Sequence, residues 1–481
     1  MKKLFYFLII SVLLISCASK PQEVVILSVN DIHGHIEGMP KLAYIADSLR
    51  NIYPQLIIVS AGDNRTGNAY NDKYPEYPNY PMIHLMNEIG FDVTALGNHE
   101  FDDNITGIRF FASNAKFPII CANTRFTGYP DLKLPEYVTI TRNIDGKDVK
   151  VLMLGMIETS NEGHPSAHIK NMKDVDFVAA KDIIKDYLYL KDSCDVFVLL
   201  SHCGLTQELD FAAEYPEFDL VIGGHSHDLC TVELADGVLY TQSKYYLKDA
   251  TVTKLKILNG KVIEKVAQVI DLNEIKKVDE KIDDEVKYYY SRPEFHVVIG
   301  HAATPFDDKN SLGAFMADAQ RYITKADIAM QNPGGVRFDN MHGGDITKAD
   351  IYNLDPFNNS LVVCEMTGRQ VEEFLAVAST KDKNITHVSG ITYSMDYIEA
   401  PDGTGHFENA KAFIDGKPID QDKVYKVAIN SYMASSWAKD YCQSMSDSGV
   451  AANDGEFLYL EDHKEVDYQN VNRCECTIIK E

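Results

Sequence analysis

The sequence lacks any block of clustered lysine and arginine. Its 46 basic side chains are outnumbered by 71 acidic ones, for a formal charge of −25. Tight binding to a nucleic-acid backbone depends on clustered cations, so no nucleic-acid partner is expected. An anionic small substrate fits such a charge only where bound cations reverse the local field. Long apolar runs are also missing. Beyond residues 4–15 no stretch is long enough to span a bilayer. There is no C-x-x-C pair, and the nine cysteines are scattered, a spacing that fits neither a small disulfide scaffold nor a zinc knot. Low-complexity tracts and short repeats are absent too. What remains is globular in composition, 45% hydrophobic and 24% charged over 481 residues. Single cores stop growing at roughly 250–300 residues, so two domains are expected.

At the N-terminus, Lys2 and Lys3 precede the apolar run 4–15, which closes on Leu14-Ile15-Ser16-Cys17. The segment resembles a bacterial lipoprotein signal. That resemblance implies removal of residues 1–16, lipid on the Cys17 thiol, and a body tethered to the bacterial cell envelope, periplasmic or at the surface. An oxidising envelope permits disulfides, and Cys474 and Cys476 are candidates for cross-linking the C-terminus.

From residue 23 to about 272 the chain repeats short apolar runs that break off in Gly, Asp, Asn or His: 24–29, 56–61, 91–97, 117–122, 151–157, 195–201 and 219–224. Helix-like segments such as 41–50 and 178–190 lie between them, and β-rich runs follow at 238–243, 250–258 and 261–270. Buried strands alternating with helices predict an α/β layer fold, in which functional groups gather where strands end. Residues 273–292 are strongly charged and read as an exposed helix joining two halves. After Pro293 the pattern restarts: a helix over 312–324, a strand into 330–338, further structure over 353–365, a helix over 368–379 and a strand over 425–430. A second α/β domain is the economical reading.

Five strand ends in the first half finish in metal-ligand side chains: "NDIHGH" (30–35), "AGDN" (61–64), "GNHEFD" (97–102), "SHCG" (201–204) and "GGHSH" (223–227). One such end is an ordinary turn. Five in one half are not. Their donors are carboxylate and amide oxygens and imidazole nitrogens without thiolate, a set suited to Zn, Mn, Fe or Co. A carboxylate can bridge two cations about 3.5–4 Å apart, a geometry for hydrolysing phosphate esters.

These segments resemble the calcineurin-like metallophosphoesterase pattern D-x-H, G-D, G-N-H-(E/D), H and G-H-x-H. Through "NPGGVR" (332–337), "DPFNN" (355–359) and the helix after "EMTGRQ" (365–370), the likeness extends to the bacterial 5′-nucleotidase family. The resemblance implies a layered αββα sandwich over 17–272, a linker over 273–292 and a second α/β domain over 293–481 that binds substrate and can rotate on the linker. It further implies that Asp31, His33 and His227 hold one divalent metal, that Asn98, His202 and His225 hold the other, and that Asp63 bridges them. Water acidified by the two cations then attacks phosphorus in line. His99, left without a metal, is assigned as acid or cation at the ester oxygen, oriented by Asp102. Asp102 also reads as the N-cap of the helix beginning "NITGI", Glu100 as a solvated or structural turn residue, and His35 as a group behind the ligands.

In the second half Arg337 is the expected phosphate or carboxylate anchor, because guanidinium binds such groups bidentately. Asn332 and Asn359 are expected to read a base or sugar, and Phe357 to stack on a base, against the plain readings of a strand turn and a core phenylalanine. Family members carry a further Arg before the segment equivalent to "NSLGAF" (310–315) and a late aromatic followed by Gly-Gly-Asp-Gly. Here the late segment is "NSYMASSWAKDY" (430–441), so Tyr432 is expected to stand in as the stacking aromatic and Trp437 to rebuild the pocket. The leading expectation is a dinuclear 5′-nucleotidase, monomeric and lipid-anchored. A UDP-sugar hydrolase or 2′,3′-cyclic-nucleotide phosphodiesterase would use the same metals, and a non-catalytic ligand-binding lipoprotein is the alternative of another class.

Overall fold

A computed structural model describes residues 20–160, 163–357, 359–379, 385–400 and 405–480. The expected signal segment, residues 1–16, and Cys17 lie outside them.

The first half is two six-stranded sheets packed face to face. One runs, in spatial order, Lys261–Asp271, Asp249–Leu258, Gln22–Val29, Ile57–Ser60, Val93–Ala95, Ile119–Ile120. The other runs Cys230–Glu233, Leu239–Gln242, Leu220–Ile222, Val196–His202, Lys147–Ile157, Tyr137–Ile144. Alternation along each strand decides which layer a side chain enters. Val24, Ile26, Ile57 and Val59 face inward to meet Val151, Met153, Val198 and Leu200 between the sheets. Val25, Leu27 and Val29 face outward into a core built with helices, and Leu152, Leu154, Phe197 and Leu199 do the same on the far sheet. Strands covered on both faces must be apolar almost throughout, which is why these runs are continuous.

Two segments differ from expectation. Residues 178–190 form only one α turn, Ala180–Ile183, continued as a 3₁₀ stretch, Ile184–Ser193. The charged stretch 273–292 is helical only over Glu280–Tyr290. Asp279 starts that helix by accepting the Ile282 N–H at 2.9 Å. The helix is not an exposed strut, because Ile282, Val286 and Tyr289, at i, i+4 and i+7, are buried in the first domain's helical core.

In the second half a five-stranded sheet is ordered His387–Ser389, Ile328–Gln331, Val424–Asn430, Ser360–Thr367, Ser444–Ala451. The helices Lys309–Thr324 and Gly368–Val377 pack on it, and both begin in capping boxes, at Asp308 and Thr367. The halves meet beside the first domain's strand ends. There the Ala69 N–H donates to Asn353 Oδ1, Lys73 lies 5.4 Å from the Tyr352 ring, and Lys170 pairs with Asp447 at 3.6 Å.

Candidate active site and metal centre

Each of the seven ligand candidates lies at or just beyond a strand's C-terminal end. Asp31 and His33 follow Gln22–Val29, Asp63 follows Ile57–Ser60 and Asn98 follows Val93–Ala95. His202 ends Val196–His202, and His225 and His227 follow Leu220–Ile222. The backbone of Asp31, His33, Asp63, His225 and His227 is left-handed, with φ between 50° and 76°. That region is sparsely used by residues bearing a Cβ and costs on the order of 1–3 kcal/mol each, so the surroundings must impose it.

The groups that impose it can be named. Glu100 is buried and accepts three backbone N–H groups, from Asp63 (3.1 Å), Asn64 (2.8 Å) and Gly97 (2.7 Å). It is a clamp between two ligand loops, not a solvated turn residue. Asp72 does the same for Thr66, Gly67 and Asn68, at 3.0, 2.6 and 2.9 Å. Gly97 is required by close approach, since a Cβ there would collide with Asp63.

The side chains converge as two groups. His227 Nε2 is 3.0 Å from His33 Nε2 and 3.4 Å from Asp31 Oδ1. On the other side, Asn98 Oδ1 lies 2.9 Å from His225 Nδ1 and 3.2 Å from His202 Nε2. Asp63 stands between, 3.0 Å from His202 and 3.9 Å from His33. Ligand atoms of Asp31, His33 and His227 all lie within 4.8 Å of one another, as do those of Asp63, His202 and His225.

Hydrogen bonds behind these groups aim their lone pairs. His33 Nδ1 meets Thr66 O at 2.8 Å and His202 Nδ1 meets Ala61 O at 2.7 Å. A carbonyl can only accept, so each Nδ1 carries a proton and each Nε2 is the nitrogen turned to the centre as a potential ligand. Asn98 Nδ2 donates to Ser166 O at 3.1 Å, which turns Oδ1 toward the histidines. Burial lowers the pKa of His33 well below its ordinary value and that of His225 to about 4. Burial would lower His202 as well, but Asp63 and Asp31 push it up to about 10. Imidazoles beside concentrated carboxylate charge, with no thiolate, suit two divalent cations, which would take the place of the proton that the carboxylates draw onto His202.

His99 has another partner. Its Nδ1 is 2.7 Å from Asp102 Oδ2. Burial alone would lower its pKa, and the Asp102 and Asp63 carboxylates outweigh that and raise it. Its ring stands 5.0 Å from that of His33, within reach of the centre. Asp102 is not the N-cap of the following helix: Asp103 precedes Asn104–Asn114, and its side chain makes no capping bond. His35 stacks on Tyr246 at 3.9 Å and pairs with Glu37, outside both groups.

A cavity of about 220 Å³ opens beside this centre. Asn98, His99, Asp102 and His225 line it from the first domain; Asn332, Arg337, Phe357, Asn359 and Tyr432 line it from the second. Arg337 has Nε and Nη2 buried without a hydrogen-bond partner among the described residues. Its guanidinium sits 5.2 Å from the centre of the Phe357 ring, itself 5.9 Å from His99. Phe357 therefore lies near both Arg337 and His99 in the cavity. Trp437 does not line the cavity; it packs edge-on behind Tyr432 at 5.3 Å. Sequence reasoning missed Ser166, His168 and Asn171, which line the cavity from a loop and the short 3₁₀ helix Ile169–Met172 that follows it, a segment whose composition carries no ligand signal. Among the described residues no cysteine forms a disulfide, Cys474 and Cys476 included.

Residues 24–229 match the calcineurin-like phosphoesterase family model, and residues 298–443 match that of the 5′-nucleotidase C-terminal domain. Together the two matches cover well over half of the chain, in the order the fold displays. The chain belongs to the 5′-nucleotidase family of metallophosphoesterases. Protein UshA of Yersinia enterocolitica is 25% identical over 526 residues, covering 93% of this chain and 92% of that protein. Endonuclease YhcR of Bacillus subtilis is 28% identical over 477 residues, 88% of this chain, which spans only 38% of that longer protein. The crystal structure of a 5′-nucleotidase precursor from Thermus thermophilus superposes with a TM-score of 0.79 at 20% identity, covering 95% of this chain and 99% of that one, and so shares its fold. Within this family the clustered donors mark a metal-dependent phosphoester hydrolase.

Proposed function

We propose that the chain is a 5′-nucleotidase using two divalent cations, drawn from Zn, Mn, Co or Fe, to release phosphate from a nucleotide. The observation that carries this reading is Arg337. Its guanidinium shares one cavity with His99 and with ligands of the metal centre, and its Nε and Nη2 have no hydrogen-bond partner among the described residues, so a phosphate would supply both the acceptors and the countercharge it lacks.

Asp31, His33 and His227 would hold one cation, Asn98, His202 and His225 the other, and Asp63 both. Bound there, the cations would acidify water into a nucleophile and offset phosphate charge. The chain's own groups do the rest. Arg337 grips phosphate oxygens in a fixed fork. His99, kept charged by Asp102, donates a proton or positive charge at the departing ester oxygen. Asn332, Asn359 and Tyr432 bound the space left for the nucleoside. A lipid on Cys17 would keep this body, monomeric and without nucleic-acid partners, at the cell envelope.

The test is to strip the protein with chelator, reload it with Mn, Zn or Co, and assay an aryl phosphate beside AMP, UMP, ADP, a UDP-sugar and a cyclic nucleotide. Cation-dependent hydrolysis with the monophosphates as best substrates is expected. Inactivity with every cation would overturn the enzyme, and faster cleavage of the UDP-sugar or cyclic nucleotide would overturn the nucleotidase.

A further inference from the structure

The second-domain wall of the cavity has a polarity that can be worked out bond by bond. Amide oxygen and nitrogen are alike in size, so only their partners fix which way an asparagine faces. The Met433 backbone N–H donates to Asn430 Oδ1 at 2.9 Å. The Asn430 amide nitrogen is then a donor, and it bonds Asn332 Oδ1 at 2.8 Å and Gln331 Oε1 at 3.3 Å. The oxygen of Asn332 is thus committed to the protein, and its Nδ2 remains for the cavity.

Asn359 is set in the same sense. The Ser360 N–H donates to Ser431 Oγ at 3.2 Å, and that hydroxyl donates to Asn359 Oδ1 at 3.0 Å. Arg337 contributes donors only. Across the cavity, His168 Nδ1 accepts the Lys170 N–H at 3.2 Å. Burial lowers the pKa of this imidazole, so its one proton sits on Nε2. Asn171 runs the other way: its Nδ2 donates to Asp102 O at 3.0 Å, leaving Oδ1 as an acceptor on the first-domain side.

We infer that the second-domain wall is a donor wall, selecting a ligand edge made of hydrogen-bond acceptors and so favouring nucleosides whose base carries a carbonyl in place of an amino group. Asn332 and Asn359 touch the ligand, and Asn430 and Ser431 are positioning residues that set their sense. A site built from hydrogen-bonding groups discriminates strongly, because a ligand of the wrong polarity leaves buried donors facing a donor. The inference rests on the reading that a nucleoside occupies this cavity.

The experiment separates the two. On the cation-loaded enzyme, uridine is compared with cytidine, and inosine with adenosine, as competitive inhibitors of aryl phosphate hydrolysis. In each pair a carbonyl replaces an amino group and the adjacent ring nitrogen changes from a bare acceptor to an N–H, so the pairs read a wall that meets the exocyclic position itself. Uridine and inosine are expected to inhibit at about tenfold lower concentration, the worth of one good hydrogen bond. Asn332→Asp, which puts a carboxylate oxygen where Nδ2 was, is expected to shrink or reverse that ratio, a change that mere loss of packing would not produce. Equal inhibition within both pairs, tighter binding of the amino partners, or no inhibition by any of the four overturns the donor wall, even where nucleotides are hydrolysed. Carbonyl preference among the nucleosides with no turnover of any nucleotide upholds the wall and overturns the nucleotidase.

Discussion

At the first-domain end of the cavity the inward-facing side chains are held by backbone: His33 by the Thr66 carbonyl, His202 by the Ala61 carbonyl, Asn98 by the Ser166 carbonyl. At the second-domain end they are held by other side chains, Asn332 by Asn430 and Asn359 by Ser431. The difference follows the task. A cation centre needs lone pairs fixed in position and tolerates little error, and strained loops clamped by Glu100 and Asp72 supply that. A recognition wall needs a fixed polarity, and relays of amides and hydroxyls supply that while leaving the polarity open to change by one substitution.

The sharpest way to break the comparison is within the first end itself. Asp63→Asn removes the carboxylate proposed to hold both cations. It is expected to deplete bound cation and to cut turnover by more than the roughly 10²–10⁴-fold that loss of an acid group costs. His99→Asn is expected to cost about that 10²–10⁴-fold with cation content unchanged. Elemental analysis beside aryl phosphate turnover checks both. Cation loss in His99→Asn would move His99 into the ligand shell, where its reach to His33 and Asp63 also allows it to stand.

The first end was readable in sequence and the second only in part, for a physical reason. Few residue types ligate divalent cations, so the five strand ends stand out where apolar runs stop; the family resemblance picks Asp31, His33, Asp63, Asn98, His202, His225 and His227 out of them, and the structure brings those side chains together. Their left-handed backbone and the Glu100 clamp carry no such mark, because a glutamate three residues after a glycine is as common in a solvated turn. The polarity of Asn332 depends on Asn430, 98 residues further along, and no local pattern records that pairing. The sheets were legible from apolar runs. The 3₁₀ stretch Ile184–Ser193 and the docking of Glu280–Tyr290 were settled by tertiary packing that overrides local preference.

A smaller effect tests how far backbone support extends. Glu158 is 6% exposed. Its N–H donates to His202 O at 2.8 Å, and its carboxylate accepts the Ser166 N–H, in the residue whose carbonyl orients Asn98. Glu158→Ala is expected to weaken the second cation about 10–100-fold, as loss of an outer partner does. Glu158→Gln keeps an acceptor in place and is expected to restore most of it. Titration against a competing chelator measures both, and parent-like affinity in Glu158→Ala would show that Ser166 is held without it.

The smallest effect is one of stability, and it contrasts buried carboxylates in the two domains. Asp31 and Asp63 face imidazoles. Glu456, fully buried in the second domain, has no hydrogen-bond partner for either oxygen among the described residues, and its carboxyl is pushed well up, first by burial and then by the Asp355 charge. Burial raises Asp355 as well, against the pull of Lys73 from the first domain. A carboxyl raised on folding contributes stability that is full below its unfolded pKa, near 4, and is lost as pH climbs toward the folded value, because only the unfolded chain releases the proton. Parent stability should therefore decline from about pH 5 to pH 8. Glu456→Gln, uncharged and of the same shape, should match the parent near pH 5 and exceed it by about 1–3 kcal/mol at pH 8. Urea unfolding at the two pH values reads the difference. Curves that stay parallel would mean that Glu456 reaches solvent or finds a partner when ionised. Divergence would show that this domain, unlike the metal centre, meets its buried negative charge by keeping the proton.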